Sequence, residues 1–381
     1  MENSTPTHES WLDHSLSSIL PRWNVRTLII IVILVLAVIS RFAMLGVRTM
    51  SHDEVNHVVP SYDLFQGKGY RHDPITHGPF QFHIIALTYF LFGDSDFTSR
   101  VPAAIFSVAA VAFVMIGFRK YLGNAGSLIG GLLFLISPYM LFYGRYTRNE
   151  AFIELFGVVL LYGILRYLDK GDHLSLFLVT GATVMHFIVK ETAYIYTAQA
   201  LLFIGLLFLE NVTRVHWNSK KRKNLFIYLM LAAVICLMAV LGFAVMNAGN
   251  SEQAAAAVET AKPALSLFAI GEIVALALVA LLGIAALVIG VKTLGWKTIR
   301  SLRSFDLLML LITLVLPLLS AFPIKIMGFD PLDYQSQGLI RSGIVVAIFF
   351  ALAIAIGMWW NRNLWIANAV LFYGVFTIFY T

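Results

Sequence analysis

Residues Ser51-His-Asp-Glu-Val-Asn-His57 place two adjacent carboxylates and two imidazoles within seven positions, directly after the first long apolar run of the chain. Partial desolvation at a membrane surface raises a carboxylate's pKa and suits it to take a proton from a hydroxyl. Asp53 and Glu54 are therefore the candidate catalytic bases. On a helix, Asp53 and His57 would share a face at four-residue spacing, and Val55, Val58, Val59 and Tyr62 would form an apolar stripe suited to an interface. Pro60 predicts a kink, or a division into two short pieces. A solvated acidic loop would carry the same residues.

A second group is cationic. Arg41 lies near the C-terminal end of the first apolar run, and Arg100 opens the next. The stretch Tyr143-Gly-Arg-Tyr-Thr-Arg-Asn-Glu150 sets Arg145 and Arg148 beside a carboxylate, and Lys190-Glu191 closes a later apolar run. Guanidinium forks bind phosphate oxygens bidentately. Five cations at one depth would suit an anionic head group such as a polyprenyl phosphate. The competing readings are a snorkelling anchor for Arg41, a charged turn for 143–150, and ordinary boundary residues for Arg100 and Lys190. His52, His57 and His77 are candidate supporting residues. With His72, His83, Asp53 and Asp73 they could also hold a divalent ion, but their spacing fits no metal template, so no metal site is assigned and no cofactor is required.

The elements that must hold these residues are membrane spans. The 381 residues are 59% hydrophobic and 13% charged, against roughly 25% charged in soluble domains. Apolar runs long enough to cross a hydrocarbon core of about 30 Å recur at 27–46, 100–118, 126–143, 151–168, 174–189, 192–209, 225–247, 265–291, 305–322 and 342–360. An eleventh, 364–380, reaches the last residue and suggests a chain cut short. The expected fold is an all-α integral membrane protein of ten to eleven transmembrane helices. Phe80–Phe92 spans only about 20 Å at 1.5 Å per residue, so it reads as an interfacial or re-entrant helix. With that choice and a cytoplasmic N-terminus, sixteen lysines and arginines fall inside and ten outside. The clusters at 220–223 and 292–303 then both lie inside, as the positive-inside rule expects, and letting 80–92 cross would reverse this.

The net charge of +6 therefore reads as cytoplasmic loop charge rather than a surface for nucleic acid. Cys236 is the single cysteine and reads as packing. The first 26 residues form a polar cytoplasmic tail without a signal-peptide core. Residues 27–210 form the catalytic module around an extracytoplasmic segment 47–99, and 211–381 add further spans, with 248–264 as an outer loop. The glycosylation tripeptides beginning at Asn3 and Asn211 fall in segments placed inside. Phosphate-cradling glycine loops, nucleophile elbows and nucleotide fingerprints are absent. A site facing away from cytoplasmic nucleotides needs an activated donor already in the membrane.

The chain resembles the GT-C superfamily of polytopic glycosyltransferases, in particular the protein O-mannosyltransferase-like branch and the prokaryotic flippase-activity-associated family. The resemblance rests on Ser40-Arg-Phe…Leu45-Gly, His52-Asp-Glu-Val55, His77-Gly-Pro-Phe80, Phe92-Gly…Ser99-Arg-Val-Pro102, Ser137-Pro138, Arg145…Arg148-Asn-Glu150 and Lys190-Glu191, in that order over about 27–200. It implies a GT-C-like fold with interfacial helices in the first outer loop. It makes Asp53 and Glu54 the first-loop acids, puts Arg41 and Arg100 near the donor phosphate, and gives Glu150 the second acidic position. The expected activity is transfer of a sugar from a polyprenyl-phosphate donor to a protein, lipid or glycan acceptor on the extracytoplasmic face of the cell membrane. The alternative is a flippase or transporter component that handles lipid-linked sugars without transfer chemistry.

Overall fold

The computed structural model describes residues 24–71, 77–255, 267–327, 329–333 and 335–380. Most of the polar tail, His72, Asp73 and the later part of the 248–264 segment lie outside them. Every regular element among the described residues is helical. In order they are α1 (Val25–Phe42), α2 (His52–Phe65), α3 (Phe80–Phe92), α4 (Asp96–Gly117), α5 (Arg119–Ile136), α6 (Pro138–Tyr143), α7 (Glu150–Lys170), α8 (His173–Val189) and α9 (Ala193–Arg214). Then follow α10 (Lys220–Ala255), α11 (Leu267–Leu294), α12 (Trp296–Arg300), α13 (Arg303–Val315), α14 (Ala321–Ile326) and α15 (Ser336–Tyr380). Among the described residues eight helical stretches are long and apolar enough to cross a bilayer, so the chain is an all-α multi-pass membrane protein.

The difference between eight stretches and ten or eleven has local causes. The expected span 126–143 is two helices, because Pro138 cannot donate to the carbonyl of Phe134 and the helix ends at Ile136. α8 has 17 residues. The two runs 342–360 and 364–380 form one 45-residue element whose backbone leaves helical geometry at Asn361. α10 carries its helix to Ala255, through the first part of the segment expected as a loop.

The chain divides into two compact units, one made of residues up to Thr197 with those from Ala367 onward, the other of Ala198–Ile366. In the first, Ile33 and Ala37 of α1, Val111 and Met115 of α4 and Leu135 of α5 form one core. A second, aromatic core gathers Phe80, Phe106, Phe152, Phe156 and Phe379 at centroid separations of 4.8–6.0 Å. In the other unit Val212, Trp217, Phe226 and Ala286 pack where α9, α10 and α11 meet.

Two contacts place α2 and α3. Arg100, in the second turn of α4, donates to the carbonyls of Leu45 and Arg48, both at 2.9 Å. The C-terminal end of α1 therefore meets the N-terminal end of α4, and the chain between them makes no net crossing. α3 is a short helix of 13 residues, and α2 packs beside it. The second contact is Gly78 N–H to the carbonyl of Val189, 3.1 Å, which docks the turn before α3 onto the end of α8. A Cβ at position 78 would lie 2.3 Å from the carbonyl oxygen of Ile188, so only glycine allows this approach. Gly78→Ala should lower the stability of the detergent-solubilised protein by ~1–3 kcal/mol, read as an earlier thermal transition. An unchanged melt would mean that the docking tolerates a side chain.

Candidate active site

α2 begins with a capping box. The Ser51 side chain accepts from Glu54 N–H, and the Glu54 carboxylate accepts from Ser51 N–H at 3.1 Å. The helix runs unbroken through Pro60, where two pieces or a kink were expected; the Ser61 hydroxyl bonds the His57 carbonyl at 2.6 Å in the turn that the proline weakens. Its amphipathicity is inverted relative to a soluble helix. Glu54, His57 and Ser61 are buried, while Val55, Val59 and Tyr62 are exposed, as an interfacial helix facing lipid requires.

Glu54 is wholly buried and accepts five hydrogen bonds: two from Arg100 (2.8 and 2.9 Å) and one each from Arg48, Ser51 N–H and Thr147 N–H. Burial pushes its carboxyl up, but the Arg100 fork and the two backbone donors outweigh it and hold the group below the usual carboxylate range. A carboxylate so enclosed has no free oxygen for an acceptor hydroxyl. Its contacts fasten α2 to α4 and to the 144–149 turn, a positioning arrangement rather than the open carboxylate expected of a base.

Three of the five cations are likewise structural. Arg41 is completely buried and donates to the carbonyls of Phe134 and Leu135 and to the hydroxyls of Ser40 and Ser107. It replaces the partner that Pro138 denies to Phe134, so it neither snorkels nor faces a ligand. Arg145 donates to the carbonyls of Ser40, Arg41 and Ala43, capping the end of α1. Arg100 has every nitrogen of its fork engaged by Glu54 and the 45–48 turn. Arg41 and Arg100 have no guanidinium edge left for a phosphate.

The remaining candidates converge. Arg148 donates to Asp53 at 2.9 Å, its Nε lies 3.6 Å from Glu150, and Lys190 donates to Glu150 at 2.7 Å. This forms a row of alternating charge drawn from α2, the 144–149 turn, α7 and the α8–α9 connection. Asp53 is about half exposed, whereas Arg148, Glu150 and Lys190 are mostly covered. Beside the row, His77 bonds Glu191 at 2.8 Å and its ring stacks on His57 at 6.3 Å. His77, the residue before the docked Gly78, has the uncommon positive φ of 70°. His57 is buried against His77 and Phe82, with no partner for Nδ1 among the described residues. Burial, then the charges of His77, Arg148 and Lys190 against that of Glu150, bring its pKa down to about 4. His52 is exposed and takes no part in the row. Among the described residues, no three His, Cys, Asp or Glu side chains converge as a metal site.

A cavity of about 390 Å³ opens next to the row, lined by Glu150 and Lys190 at one end and by Val158, Leu161 and Phe134 at the other. Glu154, one turn along α7 from Glu150, also faces it. Glu154 was not singled out in the sequence. The signal was a carboxylate inside the apolar run 151–168, a costly placement that marks function by default.

An alternating row of charges and a largely apolar cavity beside it suit a charged amphiphile. Residues 76–247 match the family model of dolichyl-phosphate-mannose-protein mannosyltransferase. This stretch runs from just before α3 to within α10, a little under half of the chain, and contains Arg148, Glu150, Glu154 and Lys190 but not Asp53. The match supports a polytopic glycosyltransferase of the GT-C type with membrane mannosyltransferase-type activity. No curated protein and no solved structure matches the chain.

Two outcomes test this division of roles. Glu54→Leu and Arg100→Met should each destabilise the protein by ~3–5 kcal/mol, because each leaves a buried charge unpaired, and the double variant should recover part of the loss. Thermal melts of the three variants in detergent measure this, and strictly additive losses would mean that the pair is not coupled. His57 titrates at about 4 when folded and near 6.5 when unfolded, so its contribution is complete above pH 6.5 and is lost as pH falls towards 4. Stability should decline by roughly 3 kcal/mol across that window from this group. His57→Phe should flatten the decline, as read from melting temperature against pH.

Proposed function

We propose that the protein transfers a glycosyl unit from a polyprenyl-phosphate sugar to a hydroxyl of a protein, lipid or glycan acceptor. The observation that carries this reading is the Asp53–Arg148–Glu150–Lys190 row at the mouth of an apolar cavity, within a chain matched by a mannosyltransferase family model. The donor phosphate would sit against Arg148 and Lys190. Arg148 suits that task because its Nε is buried without a hydrogen-bond partner among the described residues.

In the proposed step Asp53 takes the proton of the acceptor hydroxyl. The hydroxyl oxygen forms the new bond to the anomeric carbon, while the bond from that carbon to the phosphate oxygen breaks. The electron pair leaves with polyprenyl phosphate, whose growing charge Arg148 and Lys190 stabilise. A single displacement inverts the anomeric centre. Phosphate is a good leaving group, so the step calls on one base and two cations and on no cofactor. Glu54 and Arg100 position rather than react: they hold α2 so that Asp53 reaches Arg148.

The side of the membrane is part of the proposal. The lysine and arginine distribution supports a cytoplasmic N-terminus, which sets the row on the extracytoplasmic face of the cell membrane, where a lipid-linked donor replaces a nucleotide sugar.

Release of polyprenyl phosphate from a labelled polyprenyl-phosphate-hexose, with native membrane extract as the acceptor source, tests the reading. Asp53→Asn should lower the rate by about 100-fold or more, the low end for a general base, and leave donor affinity within a few-fold of wild type. Binding by both proteins without release by either would favour a flippase-associated role, and equal release would move the base away from Asp53.

A further inference from the structure

The cavity beside the charge row has bare polar atoms that the transfer step does not use. Glu154 Oε1 and Thr192 Oγ1 are buried, and neither has a hydrogen-bond partner among the described residues, whereas Glu150 Oε2 faces Arg148 Nε at 3.6 Å. Glu154 and Thr192 line the same cavity. Buried polar atoms are almost always satisfied, and an unmet one costs ~1–3 kcal/mol. For a carboxylate within a membrane span the cost is greater. Two such atoms lining one cavity point to a ligand as the partner.

The chemistry of the wall narrows that ligand. Carboxylate oxygens only accept, and a threonine hydroxyl both accepts and donates. The missing partner must therefore bring several donors. A phosphate dianion brings none, so it belongs at the Arg148–Lys190 end. A hydroxyl-rich ring supplies what the wall lacks. The rings of Tyr139 and Tyr196 stand on the same cavity and offer flat surfaces to the C–H face of such a ring. Glu154 lies four residues beyond Glu150 on α7, about 6 Å deeper at 1.5 Å per residue. The charge of Arg41 acts on it from behind.

We infer that this cavity receives the glycosyl unit of the lipid-linked donor, and that Glu154 and Thr192 determine specificity by hydrogen-bonding its hydroxyls. The inference rests on the donor chemistry proposed above. The sugar lies in the polar part of the cavity between Glu150 and Glu154, and the phosphate stays at Arg148 and Lys190. Neither Glu154 nor Thr192 touches the reacting bond, so they govern which donor is held rather than how fast it reacts.

The test measures the affinities of the full-length protein in detergent for two lipids without any acceptor: polyprenyl-phosphate-hexose and sugar-free polyprenyl phosphate. Glu154→Gln keeps the size of the side chain, Glu154→Leu removes its acceptors, and Thr192→Val removes the hydroxyl at equal volume. The expected result is a loss of hexose-lipid affinity of roughly tenfold or more for Glu154→Leu and several-fold for Thr192→Val, the scale of lost hydrogen bonds to a substrate hydroxyl. Affinity for the sugar-free lipid should stay within about twofold. The ratio of the two affinities in one preparation does not depend on how much protein is folded. Equal loss for both lipids, or no loss for either, would overturn the assignment of the cavity to the sugar. A wild type that binds neither lipid would instead overturn the donor reading on which it rests.

Discussion

The buried pairing of Glu54 with Arg100 is the constraint on which the rest of the first unit depends. A carboxylate and a guanidinium removed from water are tolerable only when each is fully hydrogen-bonded. Here both are, through contacts reaching the end of α1, the cap of α2, the second turn of α4 and the turn before α7. Three stretches far apart in sequence, around 45–54, 100 and 147, are tied at one point. Because Glu54 is also the N3 residue of the α2 capping box, the tie fixes where α2 starts as well as where it sits. Asp53 is the adjacent residue and inherits its position from that geometry.

The cations then separate into two kinds. Arg41, Arg100 and Arg145 supply donors to backbone carbonyls that helix ends and Pro138 leave unpaired, a recurrent need where a chain turns at a membrane surface with no spare water. Arg148 and Lys190 bond carboxylates instead, and those carboxylates line or border a cavity. Paired at rest, the row Asp53–Arg148–Glu150–Lys190 carries no net charge while keeping donors and acceptors in alternation. A ligand that presents an anion at one end and hydroxyls at the other meets both kinds of group.

Much of this was legible in the residues and some was not. The membrane class, the helices and the shortness of α3 follow from run length, because the bilayer imposes one dimension on every span. The approach of Asp53, Arg148, Glu150 and Lys190 was open to the reading that all lie at one depth. Depth alone does not say which way a side chain turns, so Arg41, Arg100 and Arg145 looked equivalent to Arg148. The Ser51…Glu54 spacing is a capping-box signature, and it marks Glu54 as a structural acceptor rather than half of an acid pair. The break at Pro138 was visible as Ser137-Pro138. That a guanidinium from another helix would answer it is a matter of tertiary packing, which local pattern does not encode. Glu154 was passed over because its neighbours make the run look like any other span.

The return of residues 367–380 to the first unit has a temporal consequence. Phe379 closes the aromatic cluster around Phe80, Tyr380 bonds the carbonyl of Phe187, and Asn368 receives the hydroxyl of Thr180. A ribosome delivers all of 198–366 before it delivers these side chains. During synthesis the helices that carry the charge row must wait in the bilayer with the Phe80 cluster unfinished, and their final packing can lock only after the other unit has been inserted. The order of manufacture thus makes the second unit a prerequisite for completing the first, quite apart from anything it does in the finished molecule.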